Sequence, residues 1–71
     1  IDFILNGPGR RRIAIEAKRS ALVDDHDVRH LLWLKNELVD DLTDMLVVNT
    51  GRHAYRRADG VAVIPLALLG P

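Results

Sequence analysis

The sequence has no cysteine, and this absence excludes both disulfide bonds and thiolate-ligated metal centres. A chain without cysteine fits a reducing compartment, so we expect a cytoplasmic protein. The sequence also lacks any apolar run near the ~18 residues that a transmembrane helix requires, and it has no signal-like start. We therefore expect a soluble protein that has no membrane partner.

The chain has no net charge either, because ten basic residues balance ten acidic ones, and this disfavours a general polyanion binder. The charges are nevertheless segregated along the chain. Residues 1–23 hold five basic and two acidic groups, whereas residues 24–44 hold seven acidic and two basic groups. A basic side therefore remains that can contact DNA.

The length of 71 residues allows one small domain, in which about 60% of the unfolded chain's surface becomes buried. The sequence opens inside a strand-like apolar stretch and without an initiating Met. We expect residues 1–71 to form a single domain that is part of a longer protein.

Glycine and proline first cluster at residues 7–9, and this cluster predicts a tight turn. Alternating residues on either side predict two antiparallel strands, residues 1–6 and residues 12–18. A three-residue loop at residues 8–10 would place Leu5 opposite Ile13 and Asp2 opposite Glu16. A slip of one residue would move Asp2 to the other face of the hairpin.

The remaining pattern predicts an α/β fold with a mixed sheet. Asp24 or Asp25 is suited to cap a helix that runs to about Val39, with an apolar stripe that includes Val28 and Leu31. The apolar run 45–49 predicts a strand buried on both faces, parallel to the Glu16 strand through a right-handed crossover.

The last third of the chain predicts a second hairpin. Its strands are residues 54–57 and 61–64, and the turn between them contains Asp59-Gly60. Pro65 is suited to open a final short helix over residues 66–69.

Three charged residues in the first hairpin form the candidate chemical site: Asp2, Glu16 and Lys18. Two carboxylates about 5 Å apart repel each other by roughly 3 kcal/mol at an effective dielectric constant near 20, so they need a cation or a shared proton. Mg²⁺, or Mn²⁺ in its place, answers this need with one or two carboxylate ligands and several waters. Lys18 could then polarise a water or stabilise the developing charge, a combination that suits phosphodiester hydrolysis.

Asp2 and Glu16-Ala17-Lys18, on the strands of a hairpin that a helix and an apolar strand follow, resemble the core of the PD-(D/E)XK nucleases. The wider sequence resembles the C-terminal domain of unknown function that follows the AAA-type ATPase module of bacterial and archaeal putative ATPases. This second resemblance also includes residues 31–34 and 49–51.

The resemblance implies a restriction-endonuclease-like sheet that here lacks the N-terminal helix and strand of the full core. It also implies that the carboxylates of Asp2 and Glu16 and the carbonyl of Ala17 bind the metal, that Lys18 is the catalytic amine, and that an ATPase module is a partner.

A second function remains open, that of an inactive binding or regulatory module. The missing strand would leave the Asp2 strand as a sheet edge, through which a homodimer can form. Residues 10–12 are either a phosphate contact or a solvated hairpin tip. His26 and His30 are either two zinc ligands or surface histidines. Trp33 marks a partner surface, marks the seat of the missing N-terminal region, or lies under the C-terminal hairpin.

Overall fold

The computed structural model describes residues 2–9, 11–38 and 40–70. Three sequence expectations fall outside these ranges: the strand start at Ile1, the Arg10 member of the basic run, and the helix end near Val39. The elements, in chain order, are β1 (Phe3–Asn6), β2 (Arg12–Ala17), α1 (Asp25–Glu37), β3 (Leu42–Asn49), β4 (Tyr55–Arg56), β5 (Ala62–Pro65) and a 3₁₀ turn (Leu66–Leu68).

The five strands form one mixed sheet in the order β1-β2-β3-β5-β4. β1 is antiparallel to β2, and β4 is antiparallel to β5. The three central strands β2, β3 and β5 are parallel, and α1 connects the first two of them. The predicted α/β class, its mixed sheet and its two hairpins are thereby confirmed. Across residues 2–9, 11–38 and 40–70, no helix is both long and apolar enough to cross a bilayer.

The first hairpin has the register that the sequence predicts. Leu5 lies opposite Ile13, and the N–H of Gly7 donates to the carbonyl of Arg11 at 2.8 Å, which closes the loop. Gly9 has a φ of 68°, a left-handed conformation that glycine adopts without steric cost. The same register places Asp2 opposite Glu16.

Helix α1 begins with a capping box. The N–H of Asp27 donates to the Asp24 side chain at 3.0 Å, and the N–H of Asp24 donates to the Asp27 side chain at 2.8 Å. The helix ends at Glu37. Val28 and Leu31 are fully buried against the sheet, and each contributes about 1.5–3 kcal/mol through burial.

The prediction that both faces of the third strand are buried is wrong. β3 begins at Leu42, three residues before the predicted start, and only the face towards α1 is covered. Met45 and Val47 on that face are buried, whereas Leu46 and Val48 on the other face are half-buried. An apolar run reports hydrophobicity but does not say whether another element covers each face.

Within residues 2–9, 11–38 and 40–70, no α-helix lies over the face of the sheet opposite α1, and we call this the uncovered face. β1, β2, β3 and β5 all contribute apolar side chains to it. Phe3 is 59% exposed and Leu5 is 55% exposed at its β1 end. Five half-buried residues continue the same face across the sheet: Ile13, Ile15, Leu46, Val48 and Ile64.

The connector between β2 and α1 is held in place by the end of β3. Asn49 is only 2% exposed, and its amide donates to the Ala21 carbonyl at 3.3 Å. A Cβ added to Gly51 would lie 3.1 Å from that amide nitrogen, so a larger residue there would press on the connector. This contact helps to fix where the chain leaves Lys18 and enters α1.

The second hairpin turns at Gly60, which has a φ of 94°. β4 is shorter than predicted, whereas β5 has the predicted length and lies one residue further along the chain. Pro65 is the last residue of β5 as well as the residue before the 3₁₀ turn. The hairpin does not cover Trp33, which is 61% exposed on α1. The alternative in which the C-terminal hairpin buries this residue is therefore wrong.

Candidate functional site

The candidate site lies where β2 ends beneath the first turns of α1. Glu16 is the penultimate residue of β2 and pairs with Val47 on the face that α1 covers. Lys18 follows β2 directly, and its N–H donates to the Val48 carbonyl at 2.9 Å, which extends the parallel ladder by one residue. Both side chains are half-buried. The strand alternation predicted from the sequence thus brings these two residues to one end of one face.

Asp2 reaches the same end of the hairpin from β1. Its Oδ2 accepts a hydrogen bond from the Ala17 N–H at 2.7 Å, and its own N–H donates to the Ile15 carbonyl at 3.2 Å. The Asp2 carboxylate therefore caps the edge of the ladder beside Glu16. We call Asp2, Glu16 and Lys18 the carboxylate–lysine site.

Lys18 has an acidic partner that the sequence predictions did not identify. Its ammonium contacts the carboxylate of Asp27, the residue that also closes the capping box of α1. The pKa of Asp27 is lowered from 3.8 to about 2, chiefly by the backbone N–H of Asp24 and then by the hydrogen bond from Lys18. The signal available in the sequence was the spacing of two aspartates three residues apart at a helix start.

A cavity of about 230 Å³ opens between the end of β2 and α1, and we call it the helix-side cavity. Its lining combines the residues of the strand end with charged and imidazole side chains of the helix: Glu16, Ala17, Lys18, His26, Asp27, Arg29, His30 and Val47. The site predicted on β2 is therefore adjacent to a group of helix residues that sequence reasoning treated separately.

His26 and His30 lie on the exposed side of α1, and Arg29 stands between them. The Arg29 guanidinium contacts the His26 ring, and its Nε lies 3.5 Å from Nε2 of His30. The part of the chain that the structure describes contains no group of three or more His, Cys, Asp or Glu side chains arranged to hold a metal ion. The surface interpretation of the two histidines is thus favoured over a zinc site.

The carboxylate–lysine site offers a magnesium ion a different kind of donor set. Asp2 and Glu16 supply carboxylates from paired strands, and Ala17 supplies a backbone carbonyl between Glu16 and Lys18. The hydrogen bond from Ala17 to Asp2 engages Oδ2, while a carboxylate has a second oxygen. Because Mg²⁺ binds one or two carboxylates and keeps several waters, these residues fit that ion without a third acidic side chain.

Two arginines of the second hairpin make contacts that stabilise the fold. Arg57 joins the C-terminal hairpin to the start of α1, donating to the Val23 carbonyl at 3.0 Å and to Asp25 at 2.5 Å. Arg56 pairs with Asp44 at 2.9 Å and lowers the pKa of that carboxyl. Arg11, by contrast, is exposed near the tip of the first hairpin, at the far end of β2 from Lys18.

The model of one family, described as a domain of unknown function (DUF4143), matches residues 1–69. This match covers nearly the whole chain, so the protein belongs to the DUF4143 family. No curated protein and no solved structure matches it.

Proposed function

We propose that this DUF4143 member is a PD-(D/E)XK nuclease-like domain that hydrolyses phosphodiester bonds with the help of Mg²⁺ or Mn²⁺. The observation that carries the proposal is that Asp2, Glu16 and Lys18 lie at the same end of the β1–β2 hairpin. Asp2 accepts the N–H of Ala17, the residue between the other two, and Glu16 and Lys18 line the cavity beside α1. The order of hairpin, helix and parallel strand supports a restriction-endonuclease-like arrangement of the sheet. The proposal extends to DNA as substrate and to an AAA-type ATPase module as partner in a longer cytoplasmic protein.

The carboxylates of Asp2 and Glu16 and the carbonyl of Ala17 would hold the ion. When bound, it supplies Lewis-acid polarisation of a phosphoryl oxygen and lowers the pKa of a water. Asp27 holds Lys18 from the helix side. An ammonium has three donors, so Lys18 can keep its contact with Asp27 and still donate to a phosphate oxygen or a water. In this role Lys18 stabilises the negative charge that develops during hydrolysis.

The proposal is tested by thermal unfolding during Mg²⁺ and Mn²⁺ titrations, with Glu16→Gln and Asp2→Asn beside the wild-type chain. Ligand binding to the folded state raises the free energy of unfolding by RT ln(1 + [L]/Kd), and the midpoint rises with it. We expect the midpoint of the wild type to rise with metal concentration in this logarithmic way, and the rise to be lost in both variants.

Glu37→Gln is the matched control, since Glu37 is an exposed glutamate at the end of α1. It should keep the full metal response. Metal-dependent cleavage of a labelled duplex oligonucleotide should be lost in Glu16→Gln and in Lys18→Ala. Equal midpoints with and without metal in every variant, or cleavage that survives Glu16→Gln, would contradict the proposal.

A second candidate function is a non-catalytic module that associates with another copy of itself. The specific observation that favours it is β1, an edge strand of the sheet with the apolar sequence Phe3-Ile4-Leu5, in which all three residues are exposed. An unblocked apolar edge presents free ladder positions to another strand, and antiparallel pairing of two β1 strands would be symmetric.

A further inference from the structure

The helix-side cavity is lined by two cations, two carboxylates and two imidazoles. Three of its residues on α1, His26, Arg29 and His30, are exposed. Their spacing on α1 places them on one side of the helix, because residues three and four apart are neighbours. These three residues face Glu16 and Lys18 across a space of about 230 Å³, which is enough for a small polar group.

The two cations of the cavity, Lys18 and Arg29, differ in whether a carboxylate pairs with them. Lys18 forms an ion pair with Asp27, which also caps α1. Arg29 contacts the imidazoles of His26 and His30, and within residues 2–9, 11–38 and 40–70 no ion pair joins it to a carboxylate. Its positive charge is therefore available to an anion from outside the protein.

The chemistry of this group indicates the class of ligand. A guanidinium presents several N–H donors in a planar fork that matches two phosphate oxygens, and each imidazole can add a ring N–H donor. A phosphodiester is the anion that a hydrolytic site at Glu16 and Lys18 would need to hold. Backbone phosphates are the groups that fix the register of a nucleic acid on a protein.

We infer that Arg29, together with His26 and His30, binds a backbone phosphate of a nucleic acid and so holds the strand alongside Glu16 and Lys18. This inference rests on the proposed function, since it names the substrate contact of that same site. It assigns the substrate-binding surface to α1, whereas the arginine-rich tip of the first hairpin lies at the other end of β2.

The test is fluorescence anisotropy with a labelled duplex oligonucleotide in EDTA, so that neither metal binding nor cleavage is needed. We expect Arg29→Ala combined with His30→Ala to weaken binding about tenfold or more, because a charge-assisted contact is lost. The slope of log K against log salt should fall by about one for each phosphate contact removed. Arg29→Lys should restore part of the affinity because it keeps the charge but not the fork.

Arg11→Ala is the matched control, since it removes the same charge at the far end of β2. It should change the affinity less than twofold. The inference is overturned if the wild type does not bind, if the double variant binds like the wild type, or if Arg11→Ala costs as much affinity. Circular dichroism and the thermal midpoint of each variant establish that it is folded.

The anion bound by this cavity could be a phosphate of a nucleic-acid backbone or a free small phosphate. Competition with inorganic phosphate distinguishes the two. Displacement of the oligonucleotide by an equal concentration of phosphate groups would assign the cavity to a small phosphate and overturn the nucleic-acid source. This test and the metal titration can fail separately. Binding in EDTA without any metal response would support the phosphate-binding surface on α1 and contradict the nuclease proposal. A metal response without α1-dependent binding would support the metal site and contradict the phosphate-binding surface.

Discussion

Asp27 joins the candidate site to the helix that covers it. One carboxylate contacts the ammonium of Lys18 and accepts the N–H of Asp24, so the position of the amine and the start of α1 depend on the same group. A carboxylate in the first turn of a helix is also favoured by the helix dipole. The ionised form of Asp27 is therefore stabilised by several neighbours, and the direction of its pKa shift follows from this.

The lowered pKa of Asp27 predicts how stability changes in acid. A carboxyl with a folded-state pKa of about 2 and a usual value of 3.8 contributes stability that is fully present above pH 3.8 and is lost as pH falls through about 2. Asp27→Asn should remove this contribution. We expect the unfolding free energy of the variant to depend less on pH between 4 and 2 than that of the wild type.

The measurement is urea denaturation at a series of pH values, with Asp40→Asn as control. Asp40 is an exposed aspartate in the turn after α1 and should leave the acid dependence close to that of the wild type. The same acid dependence in the wild type and in Asp27→Asn would show that Asp27 is not held by Lys18 and Asp24 as the structure has it.

At the scale of the element, α1 has two very different sides. Leu31 is fully buried between α1 and the sheet, whereas Trp33, two residues along, is 61% exposed. The larger side chain therefore contributes less to the packing of the helix than the smaller one. Truncating each residue to alanine therefore measures how much the buried side and the exposed side of α1 each contribute to stability.

We expect Leu31→Ala to lower the free energy of unfolding by about 2–5 kcal/mol, because it removes buried methyl groups and leaves a void. In a domain this small, such a loss is enough to unfold much of the population. Trp33→Ala should change it by about 0.5 kcal/mol or less. Denaturant midpoints of the two variants make the comparison, and a larger loss at Trp33 would mean that another surface covers it in solution.

Some parts of the fold and of the candidate site could be predicted from the sequence, and others could not. The register of the first hairpin followed from alternation on either side of the Gly7-Pro8-Gly9 turn, since a slip would have turned Leu5 and Ile13 to the wrong face. That register also predicted that Asp2 lies beside Glu16 at the end of β2. The contact between Lys18 and Asp27 could not be predicted, because it depends on where α1 starts relative to the end of β2. The coverage of β3 also could not be predicted, because residues 45–49 are apolar on both faces.

At the scale of the whole molecule, one helix covers one face of a five-stranded sheet. The uncovered face and the apolar edge at β1 adjoin each other, since Phe3 and Leu5 belong to both. Monomeric proteins rarely expose an apolar patch of more than a few hundred Å². This arrangement is the physical basis of the second candidate function, the pairing of two β1 strands.

If two copies pair through β1, sedimentation equilibrium should show a concentration-dependent dimer that Ile4→Lys abolishes. A lysine on an edge strand opposes pairing because its charge would be buried against the partner. Leu22→Lys is the matched control, since Leu22 is 80% exposed in the connector before α1. A wild type that stays monomeric at several hundred micromolar, or a dimer that survives Ile4→Lys, would exclude β1 as the interface.

Because Asp2 directly precedes β1, the carboxylate–lysine site is complete only while β1 stays paired with β2. Four exposed residues, bonded to the sheet along one edge, form a segment that can detach at a lower free energy than global unfolding. When β1 detaches, the Ala17 amide loses its Asp2 acceptor and becomes open to hydrogen exchange, while Glu16 and Lys18 stay on β2. Any ligand that needs both carboxylates therefore binds only the closed fraction, and its apparent affinity is reduced by that fraction.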